Sequence, residues 1–165
     1  MELSFDIRGN LKPYKKIELT FEEFKKNFVE PFEIESTRHE LLINYEHYLH
    51  DFRTEITPNF TQWIDGSFVT NKRNPNDIDI VTIIDFDIAN AKKRLLEEKF
   101  LNKGAIKMFK IDAYIVRLYP QNHPQYSKSL SDLLYWYHWF SKSRKSRSRK
   151  RFPKGFIEIS FDGIN

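Results

Sequence analysis

Asp77 and Asp79 stand two residues apart in the run DIDIVTIID (77–85). On a strand that spacing projects both carboxylates from one face. Carboxylates so close repel each other unless a cation lies between them, and oxygen-only donors suit magnesium or manganese. A third acid, Asp112, falls within KMFKIDAYIVRLY (107–119). Its neighbours are apolar, where an unpaired carboxylate is costly. Three acids on two adjacent strands make a candidate two-metal site. Gly66 and Ser67 come ten residues before Asp77. A Gly-Ser pair at a strand end supplies backbone N–H groups and a hydroxyl that suit phosphate oxygens. Lys72 and Arg73, in the connecting loop, add positive charge for a triphosphate.

These residues need elements to hold them. QWID (62–65) reads as a short extended run ending at Gly66. The 77–85 run alternates and then turns wholly apolar with β-branched residues, which predicts a central strand. IANAKKRLLEEKFL (88–101) predicts a helix, with Asp85 and Asp87 as its caps and Asn102 to Gly104 as its stop. The 107–119 run predicts the next strand, and FIEISF (156–161) a last one. Upstream, residues 1–19 read as irregular or weakly extended, with Gly9, Asn10 and Pro13 as turn residues. Thr20 and Glu23 form a capping box for a short helix with Phe21, Phe24 and Phe28 on one face. A second helix is expected from about Thr37, boxed by Glu40, to about Arg53. Its stripe is Leu41, Leu42, Tyr45, Tyr48, Leu49 and Phe52. Downstream, SLSDLLYWYHWFSK (129–142) predicts a helix capped by Ser129 or Ser131. The expected fold class is α/β (α+β): a small mixed sheet with a strand–GS–loop–DxD–helix–strand core, flanked by N-terminal and C-terminal helices. It forms one domain over 1–165, with helices at 20–53, the core at 60–119 and a C-terminal part at 126–165.

Charge is uneven. The 165 residues carry 27 basic and 23 acidic side chains, and KSRKSRSRKR (142–151) holds seven of the basic ones. Those seven are Lys142, Arg144, Lys145, Arg147, Arg149, Lys150 and Arg151. The remaining 20 against 23 acids leave the rest slightly acidic, so the sequence supports a local basic patch and not a basic surface. The patch reads either as a solvated linker or as a salt-sensitive contact to nucleic-acid phosphates. Aromatics make up 16% of residues, too much apolar surface for a disordered chain. Cysteine is absent, which excludes disulfides, cysteine-ligated zinc and a cysteine nucleophile. No apolar run is long enough to span a membrane, and the start lacks a basic region followed by an apolar run, so a cytoplasmic location is expected.

The pattern Ile64-Asp65-Gly66-Ser67, then Ile78 between Asp77 and Asp79, then Ile111-Asp112-Ala113, resembles the nucleotidyltransferase superfamily of DNA polymerase beta and the bacterial minimal nucleotidyltransferases. The whole chain, from FDIRGNL through TFEEF, GSFVT and PNDIDIV to PKGFIEI, also resembles a group of bacterial nucleotidyltransferase-like proteins. The resemblance implies transfer of a nucleoside monophosphate from an NTP to an acceptor hydroxyl. Mg²⁺ or Mn²⁺, about two ions, would sit on Asp77, Asp79 and Asp112, with Asp112 also the general base. Gly66 and Ser67 would bind the β- and γ-phosphates. The loop FVTNKRNPN lacks the second glycine and the arginine that many minimal members carry after the Gly-Ser. The acceptor is RNA, such as a tRNA end, or protein, and the resemblance carries an association with toxin–antitoxin or defence loci.

The alternative is an inactive module of the same fold that binds RNA or a protein partner through the C-terminal third. Asp65 is expected to be structural, pointing away from Ser67, and His138 to be packed or at an interface. Trp136, Tyr137, Trp139 and Phe140 exceed the needs of one buried face. The helix over 129–142 is therefore either a core helix or a surface for a base, a protein partner or a second copy of the chain.

Overall fold

The computed structural model describes residues 3–163. It is a mixed α+β fold built on a five-stranded mixed sheet. The chain opens with a small antiparallel pair, β1 (Ser4–Phe5) and β2 (Leu11–Lys12), and then β3 (Lys16–Glu18). Two helices follow, α1 (Phe21–Phe28) and α2 (Thr37–Glu55), and then β4 (Phe60–Asp65) and β5 (Ile78–Asp85). Next come α3 (Phe86–Ala91), α4 (Lys93–Leu95), a π-turn over Leu96–Phe100 and α5 (Asn102–Phe109). The chain closes with β6 (Ile111–Leu118), α6 (Tyr126–Phe140) and β7 (Phe156–Phe161). The sheet order is β3-β7-β4-β5-β6. β5 runs antiparallel to β4 and parallel to β6, so the strand carrying Asp79 is central, as its β-branched composition predicts.

Strand alternation sorts the side chains onto two faces. Ile64, Ile78, Ile80, Ile84, Ile111 and Ala113 enter the main core beneath α1, α2 and α5. That core is largely aromatic, with Phe52, Phe100 and Phe109 gathered around Tyr48 at centroid distances of 5.3–5.8 Å. The polar groups buried with it are paired: Tyr45 Oη donates to Gln62 Oε1 at 2.6 Å, and Gln62 Nε2 donates to Thr82 Oγ1 at 2.9 Å. The opposite face carries Trp63, Val81, Ile83 and Val116 against Phe140 of α6 and Phe156 of β7. Asp65, Asp79 and Asp112 share that second face by alternation.

The Thr20–Glu23 capping box forms as predicted. Several other expectations need correcting. The N-terminal stretch holds three short strands, because β3 finds a parallel partner in β7 that lies far away in sequence; Met1 and Glu2 lie outside the described residues. α2 is capped by Ser36, not boxed by Thr37 and Glu40; Glu40 instead pairs with Lys110 at 2.6 Å. Asp85 occupies the cap position of α3 without a side-chain cap bond. Asn102 to Gly104 do not end helical structure, and residues 107–109 are helix rather than strand. Leu101, Ala105 and Phe109 recur at four-residue spacing and are buried, so packing selects α5. Ser129 lies inside α6, where its Oγ accepts from Tyr119 N at 2.8 Å and donates to Arg117 O at 2.9 Å, pinning the helix to the end of β6.

α6 is not a fully buried core helix. Only Ser129 and Phe140 are buried along it; Tyr135, Tyr137 and Trp139 remain 40–55% exposed, and His138 is exposed. Among the described residues no helix is long and apolar enough to cross a membrane.

Candidate functional site

Sheet register sets three acids in one row. Asp65 of β4 is the partner of Asp79 on β5, and Asp79 is the partner of Asp112 on β6. Asp77 precedes β5 by one residue and lines the same cleft as Asp79. Asp79 Oδ2 is buried and has no hydrogen-bond partner among the described residues. Burial, then the charges of Asp77, Asp65 and Asp112, push the Asp79 carboxyl up to about 7, and Arg144 opposes them. Asp112 Oδ2 accepts from Tyr114 Oη at 3.4 Å.

The row is divided by one lysine. Lys154 Nζ lies 2.5 Å from Asp65 Oδ1 and donates to Gly66 O at 3.0 Å, and both side chains are buried. Burial still pushes Asp65 up to about 6, against the lysine and the Gly66 N–H. Asp65 does not point away from the Gly-Ser turn: it lines the same cleft as Ser67, with its charge paired to Lys154. Replacing Lys154 with methionine strands a buried charge, and a loss of about 3–5 kcal/mol is expected in urea unfolding. Adding Asp65→Asn to that variant should recover most of it. Additive losses would show that the two residues are not coupled.

Gly66 and Ser67 sit against the row. Gly66 has φ 78°, and a Cβ there would lie 1.6 Å from Asp79 Oδ2, so no other residue fits. The turn that follows is anchored from below by Phe68 and Val69, both fully buried, with Phe68 stacked on Phe24 at 5.6 Å. Its carbonyls converge on Arg38, a fully buried residue near the start of α2. Arg38 donates to the carbonyls of Phe28, Phe68, Thr70 and Lys72 at 2.6–2.7 Å. Its guanidinium lies 3.9 Å from the Phe32 ring centre, and burial lowers its pKa to about 10. Ser36 and Thr37 hold the next stretch by donating to Arg73 O and Pro75 O, each at 2.6 Å. The loop between the Gly-Ser and the two aspartates is thus clamped by the N-terminal end of α2.

The basic run is a strap. Ser143 N donates to Phe152 O at 2.8 Å, Lys142 bridges to Pro153, and Ser146 N donates to Lys150 O at 2.8 Å around a tight turn. The strap folds over the acids, and together they enclose a cleft of about 830 Å³. Asp77, Asp79, Asp112, Gly66, Ser67 and Lys72 line it, with Lys142, Arg144, Lys145 and Arg151 from the strap. Four of the residues singled out by sequence do not line it. Arg73 pairs with Glu33, and Arg147, Arg149 and Lys150 continue along the strap outside.

Sequence reasoning missed Lys154 and Arg38. Lys154 comes three residues after the basic run, past Phe152 and Pro153, and nothing in its neighbours marks it as buried. Arg38 carried a signal: it falls three residues before Leu41, on the apolar stripe of α2, where a charged residue must be buried or misplaced.

A Family of unknown function (DUF6932) matches residues 3–160. The chain belongs to this family. No curated protein and no solved structure matches it. In this DUF6932 chain the stranded oxygen of Asp79, among like charges, fits a cation chemically. The donors are all carboxylates, which suits a hard divalent ion. Among the described residues, no three histidine, aspartate or glutamate side chains are already grouped closely enough to hold one. The acids would have to rotate towards a bound ion.

Proposed function

We propose that the protein is a metal-dependent nucleotidyltransferase, which moves a nucleoside monophosphate from an NTP to an acceptor hydroxyl on RNA or protein. The observation that carries this reading is the buried, unpartnered Asp79 oxygen beside Gly66, in register with Asp112. A chain does not strip water from a carboxylate among three other carboxylates without a use for the charge. Asp77 and Asp79 would hold Mg²⁺ or Mn²⁺, about two ions with Asp112. When bound, the metal neutralises phosphate charge and eases ionisation of the attacking hydroxyl.

The chain's own residues do the rest. The Gly66–Ser67 turn, clamped by Arg38, brings the Ser67 hydroxyl and the close backbone approach of Gly66 to the β- and γ-phosphates, and Lys72 and Arg144 add charge at the rim. Asp112 takes the proton of the acceptor hydroxyl. The acceptor oxygen forms a bond to the α-phosphorus, the bond to the bridging oxygen breaks, and pyrophosphate leaves.

The test is transfer of label from each of the four NTPs, labelled at the α-phosphate, to total RNA and to total protein with Mg²⁺ or Mn²⁺. The Asp77→Asn/Asp79→Asn variant runs beside it. Label on one class that vanishes in the variant supports the enzyme and names the acceptor class. A second reading, a non-catalytic module that binds RNA or a protein partner through the C-terminal third, draws on the exposed Tyr135, Tyr137 and Trp139 of α6. No label above the variant, with folded protein, would favour it.

A further inference from the structure

The wall facing the acids is aromatic and cationic at once. Tyr135, Trp136 and Trp139 of α6 turn towards the cleft, and Tyr135 and Trp139 are 55% and 40% exposed. The fold does not need them there. The sheet side of α6 is filled by Phe140 and by Tyr137, which packs edge-on against Trp63 and Phe156. Trp136 is already held against Tyr114 at 4.5 Å. Rings left in water beside an anionic floor are an unsatisfied apolar surface. Arg151 lies 3.9 Å over the ring centre of Trp139, a flat cationic surface at the mouth of the cleft.

The charge runs farther than an NTP does. Lys142, Arg144 and Lys145 line the cleft, where a triphosphate would meet them. Arg147, Arg149 and Lys150 lie farther along the same strap, outside the cleft, all exposed. Among the described residues, none of the three has an acidic partner. A row of cations leading away from an aromatic mouth matches a polymer with a phosphate at every step and a base between steps. A paired duplex buries its base faces and offers nothing to Tyr135 and Trp139.

We propose that this wall binds the end of a single-stranded nucleic acid, with bases stacked on Tyr135 and Trp139 and backbone phosphates along the strap. As the acceptor whose terminal hydroxyl reaches Asp112, that strand rests on the transferase reading; as a binding surface it does not.

The experiment is fluorescence anisotropy with labelled RNA and DNA of about 12 nucleotides, single-stranded and as hairpin duplexes, over a range of salt. Single strands are expected to bind more tightly than duplexes. Trp139→Ala should weaken them roughly tenfold with little change in the salt slope. Tyr135→Ala, at a more exposed position, should act in the same direction. Arg147→Glu/Arg149→Glu should weaken binding and flatten the salt dependence. Absence of single-strand binding at low salt overturns the proposal. So does equal binding of duplexes that ignores both aromatic substitutions, and so does tryptophan quenching by NTP alone, lost in Trp139→Ala, without any oligonucleotide binding. Strand binding without label transfer keeps the inference and removes the transferase reading; label transfer without strand binding does the reverse.

Discussion

Metal-free protein carrying Asp77→Asn and Asp79→Asn is expected to melt higher than the wild type at pH 8, while transferring no label. The sign follows from Asp79. Its carboxyl sits near 3.8 in the unfolded chain and near 7 when folded, because burial and three neighbouring carboxylates disfavour the charge. Below about pH 4 it is protonated in both states and has no effect. As pH rises towards 7 the unfolded chain has released the proton and the folded one still binds it, so stability falls through that window. Above 7 the whole penalty is present. Asparagine keeps the shape and removes the charge, so the gain is on the order of a few kcal/mol, or roughly 5 °C or more in Tm. Thermal unfolding from pH 4 to pH 8 should show a falling Tm for the wild type and a flatter one for the variant. Mg²⁺ or Mn²⁺ at tenfold above its Kd should stabilise the wild type by about 1.4 kcal/mol, raising its Tm by a few degrees, and leave the variant unmoved. Equal melting curves without metal, or equal shifts with it, would refute the site.

The second large effect belongs to Arg38, which touches no proposed substrate. Arg38→Met leaves the carbonyls of Phe28, Phe68, Thr70 and Lys72 without their shared donor. A loss of about 3–5 kcal/mol is expected, some 10 °C in Tm. Arg38→Lys is the sharper test. Lysine keeps the charge but cannot span carbonyls that the planar guanidinium bridges at once. That protein should fold, with a loosened turn after Ser67 and a KM for NTP raised more than kcat is lowered. A merely structural role would lower Tm and leave KM alone. Wild-type Tm and KM in Arg38→Lys would show that the clamp does not position the turn.

Local pattern carried much of this protein. The alternation in 77–85 was enough to place β5 and to set Asp79 on the face opposite Ile78 and Ile80, because strand periodicity is a property of adjacent residues. The same holds for the Thr20–Glu23 cap and for β7. Boundaries failed where distant residues compete with local preference. Phe109 reads as the start of a strand until Phe100 and Tyr48 draw it into α5. Ser129 reads as a cap until the end of β6 takes its hydroxyl.

Residue types and spacing set the chemistry on offer: three acids and a Gly-Ser pair at strand spacing, no cysteine, and a basic run beside an aromatic helix. Which charges meet is a matter of the folded chain. It set Asp65, Asp79 and Asp112 in one row and gave Lys154 to the first of them. It turned Arg73 away towards Glu33, brought the strap back over the acids and buried Arg38 under the turn. Each of those outcomes depends on register and on contacts between residues far apart in the chain, and no local pattern encodes them.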